Sequence, residues 1–240
     1  MVGSDSLSQH DLLQAMLMKD EQQPREEPLV AQNLNEQLVH MGLSTWSISV
    51  LRRIRDLTGR YSAPRVLEVG GSIGHRAAWL LDLFERQGSP ACYHIVEEGA
   101  KFAVILKRLF DRYKAQSWCK IIVGQFQTLI SEERAVEALP LQTEENQRRF
   151  LPEYDVIIID QPLPVLSETI QSTLPLLAKN GILLTVEPSA PTDEIDVQNP
   201  QSMMLVNGFN DWIQCIKSTH DTHELAFVPL FGGTLVAWMA

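Results

Sequence analysis

Cysteine is scarce and shows no pairing pattern: Cys92, Cys119 and Cys215 lie far apart in a chain of 240 residues. So scattered and odd a set excludes a disulfide framework and the paired spacing of a zinc site. Two of the three fall in predicted strands, as buried thiols of a reducing compartment would. No apolar run reaches the roughly 20 residues needed to cross a bilayer. The first residues, Met1-Val2-Gly3-Ser4-Asp5, carry neither the basic nor the apolar part of a secretory signal. The expectation is a cytoplasmic protein without membrane attachment. Basic residues are the other shortage. Twenty Lys and Arg stand against 30 Asp and Glu, a formal charge of −10, and from Glu153 onward eleven acidic residues meet only Lys179 and Lys217. That balance disfavours nucleic acid and anionic lipid as partners. It favours a neutral or cationic small-molecule substrate if a site lies in the acidic part.

What is present is enough for a packed core, with 45% apolar residues, and the length suits one α/β domain with an N-terminal extension. Residues 1–42 read as a helical, partly flexible extension, a lid or an oligomer contact, and a homo-oligomer is left open. A short amphipathic helix is centred on Leu12, Leu13, Met16 and Leu17. Helical patterns follow over Val30–Met41 and Thr45–Thr58, the latter with Ile48, Val50, Leu51, Ile54 and Leu57 at helical spacing.

From residue 43 to 240 strands and helices alternate. Strands are predicted at Arg65–Val69, Cys92–Glu97, Cys119–Val123, Asp155–Asp160 and Ile182–Glu187. Helices between them cover His75–Arg86, a segment with Phe102, Val104, Ile105, Leu109 and Phe110, about Gln125–Leu139, and Val165–Ala178. Alternation of this kind predicts a Rossmann-like, doubly wound parallel sheet with right-handed crossovers. The end departs from it: after a helix over Ser202–Thr219, the runs Leu225–Leu230 and Thr234–Met239 flank Phe231-Gly232-Gly233, a hairpin signal. The fold class is therefore α/β with seven strands, five parallel plus a C-terminal antiparallel hairpin.

The segment with most chemistry is Arg65-Val66-Leu67-Glu68-Val69-Gly70-Gly71-Ser72-Ile73-Gly74. An apolar strand runs into a glycine-rich turn and then a helix, bringing backbone N–H groups and a helix N-terminus to one point. Gly70 and Gly74 permit backbone to approach a ligand closely. Glu97 ends the next strand, 23 residues after Gly74, and a carboxylate there suits the two hydroxyls of a ribose. The fingerprint of nicotinamide dehydrogenases would need glycines at 70, 72 and 75, where the chain has Gly70, Ser72 and His75. An RNA-modifying enzyme fits poorly with the acidic C-terminal part.

Over residues 43–240 these elements resemble a class I S-adenosylmethionine-dependent methyltransferase, and most of all the small O-methyltransferases of the catechol and caffeoyl-CoA type. The resemblance implies S-adenosyl-L-methionine as cofactor. It implies contacts to its methionine end from Glu68, Gly70, Gly71, Ser72, Gly74 and His75, and to its ribose from Glu97. Gln125, Phe126 and Gln127 would flank adenine, and Asp160 and Gln161 would close the site after strand four. Trp46 falls where the family places a cofactor lid.

Two departures bear on the chemistry. Metal-dependent members pair the strand-four Asp with an Asp-Asn pair after strand five, where this chain reads Val186-Glu187. The lysine base after strand four is missing, since Asp160 is followed by Gln161-Pro162-Leu163. The expectation is metal-independent methyl transfer to an O or N nucleophile of a small molecule, with Asp160 and Glu187 as catalytic candidates and no metal ligands assigned. A rearranged cation site of Asp160, Glu187, Asp193, Glu194 and Asp196 is one alternative, and a catalytically inactive binding or regulatory subunit is another. His94, inside strand two, reads as a satisfied core histidine.

Overall fold

Short apolar runs without polar alternation build the centre of the protein. In β4 (Tyr154–Ile159) the side chains of Val156, Ile157, Ile158 and Ile159 are all fully buried, as befits a strand covered on both faces. The computed structural model describes residues 8–137, 148–191 and 198–240. It sets β4 in a sheet with β1 (Arg65–Val69), β2 (Cys92–Glu97), β3 (Cys119–Val123), β5 (Leu177–Val186), β6 (Glu224–Leu230) and β7 (Gly233–Met239). The spatial order is β3-β2-β1-β4-β5-β7-β6. Strands β1 to β5 are parallel, and β7 runs antiparallel to both β5 and β6, with Leu184 opposite Ala237 and Phe227 opposite Val236. The seven strands, five parallel and a closing hairpin, agree with the sequence expectation.

Helices cover both faces. On one lie α4 (His75–Gln87) and α5 (Ala100–Arg112), joined by α1 (Gln9–Leu17), α2 (Leu29–His40) and α3 (Ile48–Thr58). On the other lie α6 (Phe126–Glu137), α7 (Leu163–Thr173) and α8 (Pro200–Thr219). Strand residues alternate between the layers: Val66 and Val156 join the first core, Leu67 and Ile157 the second. In the second core Trp212 packs edge-on to Trp238 at 5.8 Å, and the Trp238 indole N–H donates to Thr219 Oγ1 over 2.8 Å. Cys92 and Cys119 are half-buried, Cys215 is buried, and all three are free.

The extension is tied down along α3. Ser47 caps this helix, its hydroxyl accepting from Val50 N–H. The Arg55 guanidinium, 1% exposed, donates to Asp56 and to the Pro24 carbonyl and lies 5.4 Å over the Trp79 ring. Asp56 in turn accepts from Asp20 N–H. Arg52 donates to the Arg25 carbonyl.

One element differs from expectation. The helix predicted over Val165–Ala178 ends at Thr173, continues as a single 3-10 turn at Leu174–Leu176, and gives Leu177 and Ala178 to β5. Pro175 has no N–H for a further α-helical bond. Leu177 pairs with Tyr154 and Ile182 with Val156, so β5 carries three extra residues across this register shift, with Asn180 at φ 61° among them.

Candidate active site

The strand order reverses between β1 and β4, and the segments that leave their carboxyl ends, Gly70 and Asp160, meet there. Open parallel sheets bind ligands at such a switch point. The loops are stitched together by backbone: Asp160 N–H donates to Val69 O over 2.9 Å, and Gly70 N–H and Gly71 N–H both donate to Val96 O. Gly70 has φ 95°, and a Cβ there would stand 2.0 Å from the Asp160 carbonyl oxygen, so only glycine fits. Gln161 comes to the same place, its amide nitrogen 3.1 Å from that Cβ position.

Glu97 ends β2 beside this bend and is 6% exposed. One carboxylate oxygen accepts from Ser72 N–H at 2.6 Å, the other from Gly99 N–H at 2.7 Å. Ser72, at φ 50°, aims its amide at the acid from the glycine turn. Burial pushes the Glu97 carboxyl up from its ordinary value, opposed by these two amide bonds. A carboxylate has about four acceptor positions, so each oxygen keeps one for a further donor, and a vicinal diol matches two such positions.

Arg76 ties the Gly70 and Asp160 loops to β1. It is 5% exposed in the first turn of α4, where a cation is disfavoured by the helix dipole. Three acceptors hold it. Nε–H donates to Glu68 at 3.1 Å, and the two terminal nitrogens donate to Asp160 and to the Gly70 carbonyl. Its charged carbon lies 4.7 Å over the Trp46 ring. Burial works against the guanidinium's charge, but the adjacent Asp160 and Glu68 carboxylates outweigh it and hold its pKa above the usual value.

Several sites predicted from sequence therefore come together at the switch point: Gly70, Ser72, Glu97, Asp160 and Gln161, with Gly71 beside them buried against Ile95 and Leu106. Others do not line it. Glu68 is fully buried beneath it, where it accepts from Arg76 and from the Tyr93 hydroxyl, and burial raises its pKa. It supports the crevice and does not face it. Gly74 caps α4 with its Cβ position 2.7 Å from Leu109 Cδ2, a packing position. His75 is 3% exposed, bonded through Nε2 to Glu27 and through Nδ1 to the Thr45 hydroxyl. Burial lowers its pKa, against the pull of Glu27. Phe126 packs edge-on to Phe150 in the second core, and Gln127 donates to Thr169 Oγ1 on α7. Of that segment only Gln125 is exposed.

Glu187 stands exposed just past β5, its N–H donating to the Thr234 carbonyl. Asp193, Glu194 and Asp196 lie outside the described residues. Among the described residues no group of three His, Cys, Asp or Glu is placed to hold a metal ion. His94, 9% exposed, sits 2.7 Å from the Tyr154 hydroxyl within the core. No described helix is long and apolar enough to cross a membrane.

Arg76 has no part in the site expected from sequence. The signal that could have found it was a basic residue in the first helical turn, close in sequence to a strand-end acid.

No family model matches the chain, and no curated protein matches it in sequence. Solved structures do match in three dimensions. An O-methyltransferase from Bacillus cereus in complex with S-adenosylhomocysteine superposes with a TM-score of 0.63 at 14% identity, over 90% of this chain and 92% of that one. The O-methyltransferase TomG from Streptomyces achromogenes, involved in tomaymycin synthesis and solved with S-adenosylmethionine, gives 0.64 at 14% identity over 100% of both chains. The S-adenosylhomocysteine-bound methyltransferase PaMTH1 of Podospora anserina gives 0.58 at 16% identity, covering 88% of this chain and 87% of that one. The chain has the fold of an O-methyltransferase. At these identities the likeness speaks for the backbone, and the residues of the crevice carry the chemistry.

Proposed function

We propose that the protein binds S-adenosyl-L-methionine at the switch point and transfers its methyl group to an oxygen or nitrogen of a small molecule without a divalent cation. The observation that carries this reading is the Glu97 carboxylate. It is oriented by Ser72 N–H and Gly99 N–H, keeps an acceptor position on each oxygen for the ribose hydroxyls, and adjoins a glycine bend with room for bare backbone only. The structural relatives solved with this cofactor or its product add support.

When bound, the sulfonium supplies an electrophilic methyl group. The chain's part is to bind, orient and exclude water, and positioning of this kind is worth several kcal/mol of barrier. Glu97 would fix the nucleoside end. Gly70 lets the loops after β1 and β4 close on each other beside it, and Trp46 stacks on Arg76, which pairs with Asp160. Asp160, with a side chain 34% exposed and one oxygen on Arg76, keeps acceptor positions for an acidic proton of the acceptor. Fixed positive charge from Arg76 stands beside Asp160, where metal-dependent relatives would need a cation, which favours cation-independent chemistry. Asp160 and the exposed Glu187 give the rim an acidic character suited to a neutral or cationic substrate. The cytoplasm agrees with three free thiols.

Calorimetry with S-adenosylmethionine, with and without magnesium, tests the reading. Binding whose affinity is unchanged by magnesium supports it, and absence of binding removes it. Label transfer from methyl-labelled cofactor to a panel of phenols, hydroxy acids and amines then reports turnover.

A further inference from the structure

The strand order sets the direction in which a ligand can run. Glu97 ends β2, the Gly70 bend follows β1, and Asp160 and Val186 stand at the carboxyl ends of β4 and β5, in the spatial order β2-β1-β4-β5. A nucleoside held at Glu97 and laid over the glycine bend directs its far end toward Asp160 and Val186. Thr185 Oγ1 donates to the Ile159 carbonyl over 2.8 Å, which sets the two following residues, Val186 and Asp160, side by side.

Negative charge and apolar surface meet there. The half-buried Asp160 and the buried Glu68 share one guanidinium, that of Arg76, so with both acids ionised the three groups carry one negative charge in surplus. The exposed Glu187 follows Val186 and adds another. Apolar groups flank the acids: Trp46 over Arg76, Val186, and the tip of the β6–β7 hairpin. The tip is fixed from two sides. The Ser47 hydroxyl donates to the Phe231 carbonyl over 2.7 Å, and a Cβ at Gly233 would lie 3.3 Å from Val186 Cγ1 and 3.7 Å from Val50 Cγ2. Phe231 itself is 87% exposed, and Ile48, next to Ser47, is exposed as well. Apolar side chains left open on a fixed support at the edge of a site suit an apolar partner.

We propose that the methyl acceptor is an amine carried on an apolar body, its nitrogen received by Asp160 and its body by the rim of Trp46, Val186 and Phe231. The proposal rests on the reading of Glu97 and the cofactor given above. A phenol would have to give up its proton beside acids in surplus, next to an Arg76 whose charge Asp160 and Glu68 already balance. An ammonium neutralises the surplus and gains a charge-assisted hydrogen bond to Asp160. In the reaction the bound ammonium first releases one proton, through Asp160 to water. The nitrogen lone pair then forms the N–C bond while the S–C bond breaks and leaves its electron pair on sulfur. The products are an N-methylammonium and a neutral thioether, so positive charge moves to the nitrogen beside Asp160, a shift that a fixed carboxylate favours.

Calorimetry on the full chain saturated with S-adenosylhomocysteine compares 2-phenylethylamine, 2-phenylethanol and 3-phenylpropionate. The amine should bind at least about tenfold more tightly than the other two. Phe231→Ala, an exposed position at which folding is not at risk, should weaken the amine by about tenfold and leave S-adenosylhomocysteine unchanged. Asp160→Asn, checked by a melting curve, should bring amine and alcohol to within about threefold of each other. Tyramine, which carries a phenol and an amine in one molecule, should take methyl label from S-adenosylmethionine on nitrogen. Binding of S-adenosylhomocysteine without a preference for the amine overturns the proposal alone, as does label on the phenol oxygen or on neither atom. Failure of S-adenosylhomocysteine to bind removes the cofactor reading, and the proposal with it.

Discussion

His75 Nε2 lies 2.7 Å from Glu27 Oε1, a contact spanning 48 residues of sequence, and its Nδ1 meets the Thr45 hydroxyl at 2.9 Å. The first residue after the glycine turn is therefore bound on one ring nitrogen by the N-terminal extension and on the other by the segment leading into α3. The pair is buried, with side-chain exposures of 3% and 8%. Replacing Glu27 by Ala leaves an imidazole nitrogen without its partner, a loss of about 1–3 kcal/mol. The expected outcome is a lower melting temperature together with faster hydrogen exchange over residues 20–46, while the amides of β4 keep their protection. Equal exchange in both proteins would mean that the contact does not hold the extension.

Stability should fall as pH drops below neutrality, and His94 should be the main cause. Burial, with a smaller push from Lys120, lowers its pKa from 6.5 to about 4. The folded state favours neutral imidazole, so the unfolded chain binds more protons between pH 6.5 and 4, and stability present above 6.5 is lost across that window. A shift of this size corresponds to at most about 3 kcal/mol. His75, also lowered by burial, acts in the same direction. Glu68 and Glu97, raised by burial, act oppositely, since their contribution is lost as pH rises. Urea unfolding of wild type and His94→Gln at pH 7 and pH 4.5 isolates the histidine: the difference between the two proteins should shrink or reverse at the lower pH.

The sheet was legible because burial leaves a plain trace in composition. Val156 to Ile159 could only be a strand covered twice, and Phe231-Gly232-Gly233 marks where the closing hairpin turns. The crevice was legible where backbone geometry dictates residue type, at Gly70 and at Glu97 on a strand end. It was not legible where long side chains choose among partners. Nothing in the spacing tells whether Glu68 faces a ligand or Arg76, or whether Phe126 flanks a base or packs on Phe150, since each is decided by three-dimensional neighbours distant in sequence. The same holds for Pro175, whose effect on α7 depends on Leu177 finding Tyr154.

Two adjacent glycines should differ in how they fail. A Cβ at Gly71 would come 2.4 Å from Ile95 Cγ2 and 3.0 Å from Leu106 Cδ1, both side-chain atoms in the first core. Gly71→Ala should overpack that core by about 1–3 kcal/mol and still fold. At Gly70 the obstacle is the Asp160 backbone carbonyl, with φ at 95° besides, so the β1 and β4 loops must separate. Gly70→Ala should abolish nucleoside binding even where the protein remains folded. Melting curves and calorimetry on both variants distinguish a core effect from a site effect.

Glu97→Gln is the sharpest single test of the crevice. The substitution keeps size and shape but replaces one acceptor oxygen by an NH2 donor. Two backbone donors, Ser72 N–H and Gly99 N–H, converge on the side chain, so one of them must then face a donor, and the loop bearing it loses its orientation. A ribose diol meanwhile loses its charged partner. Two charge-assisted hydrogen bonds of about 1.5–3 kcal/mol each are at stake, so affinity for S-adenosylmethionine should fall by about a hundredfold or more. Glu97→Asp keeps the charge but is one methylene shorter, and should lose the two amide bonds first, with an intermediate fall in affinity. Calorimetry on the three proteins gives the ranking wild type, Asp, Gln. A Gln variant that binds as tightly as wild type would mean that the acid serves the loops alone and that the nucleoside lies elsewhere.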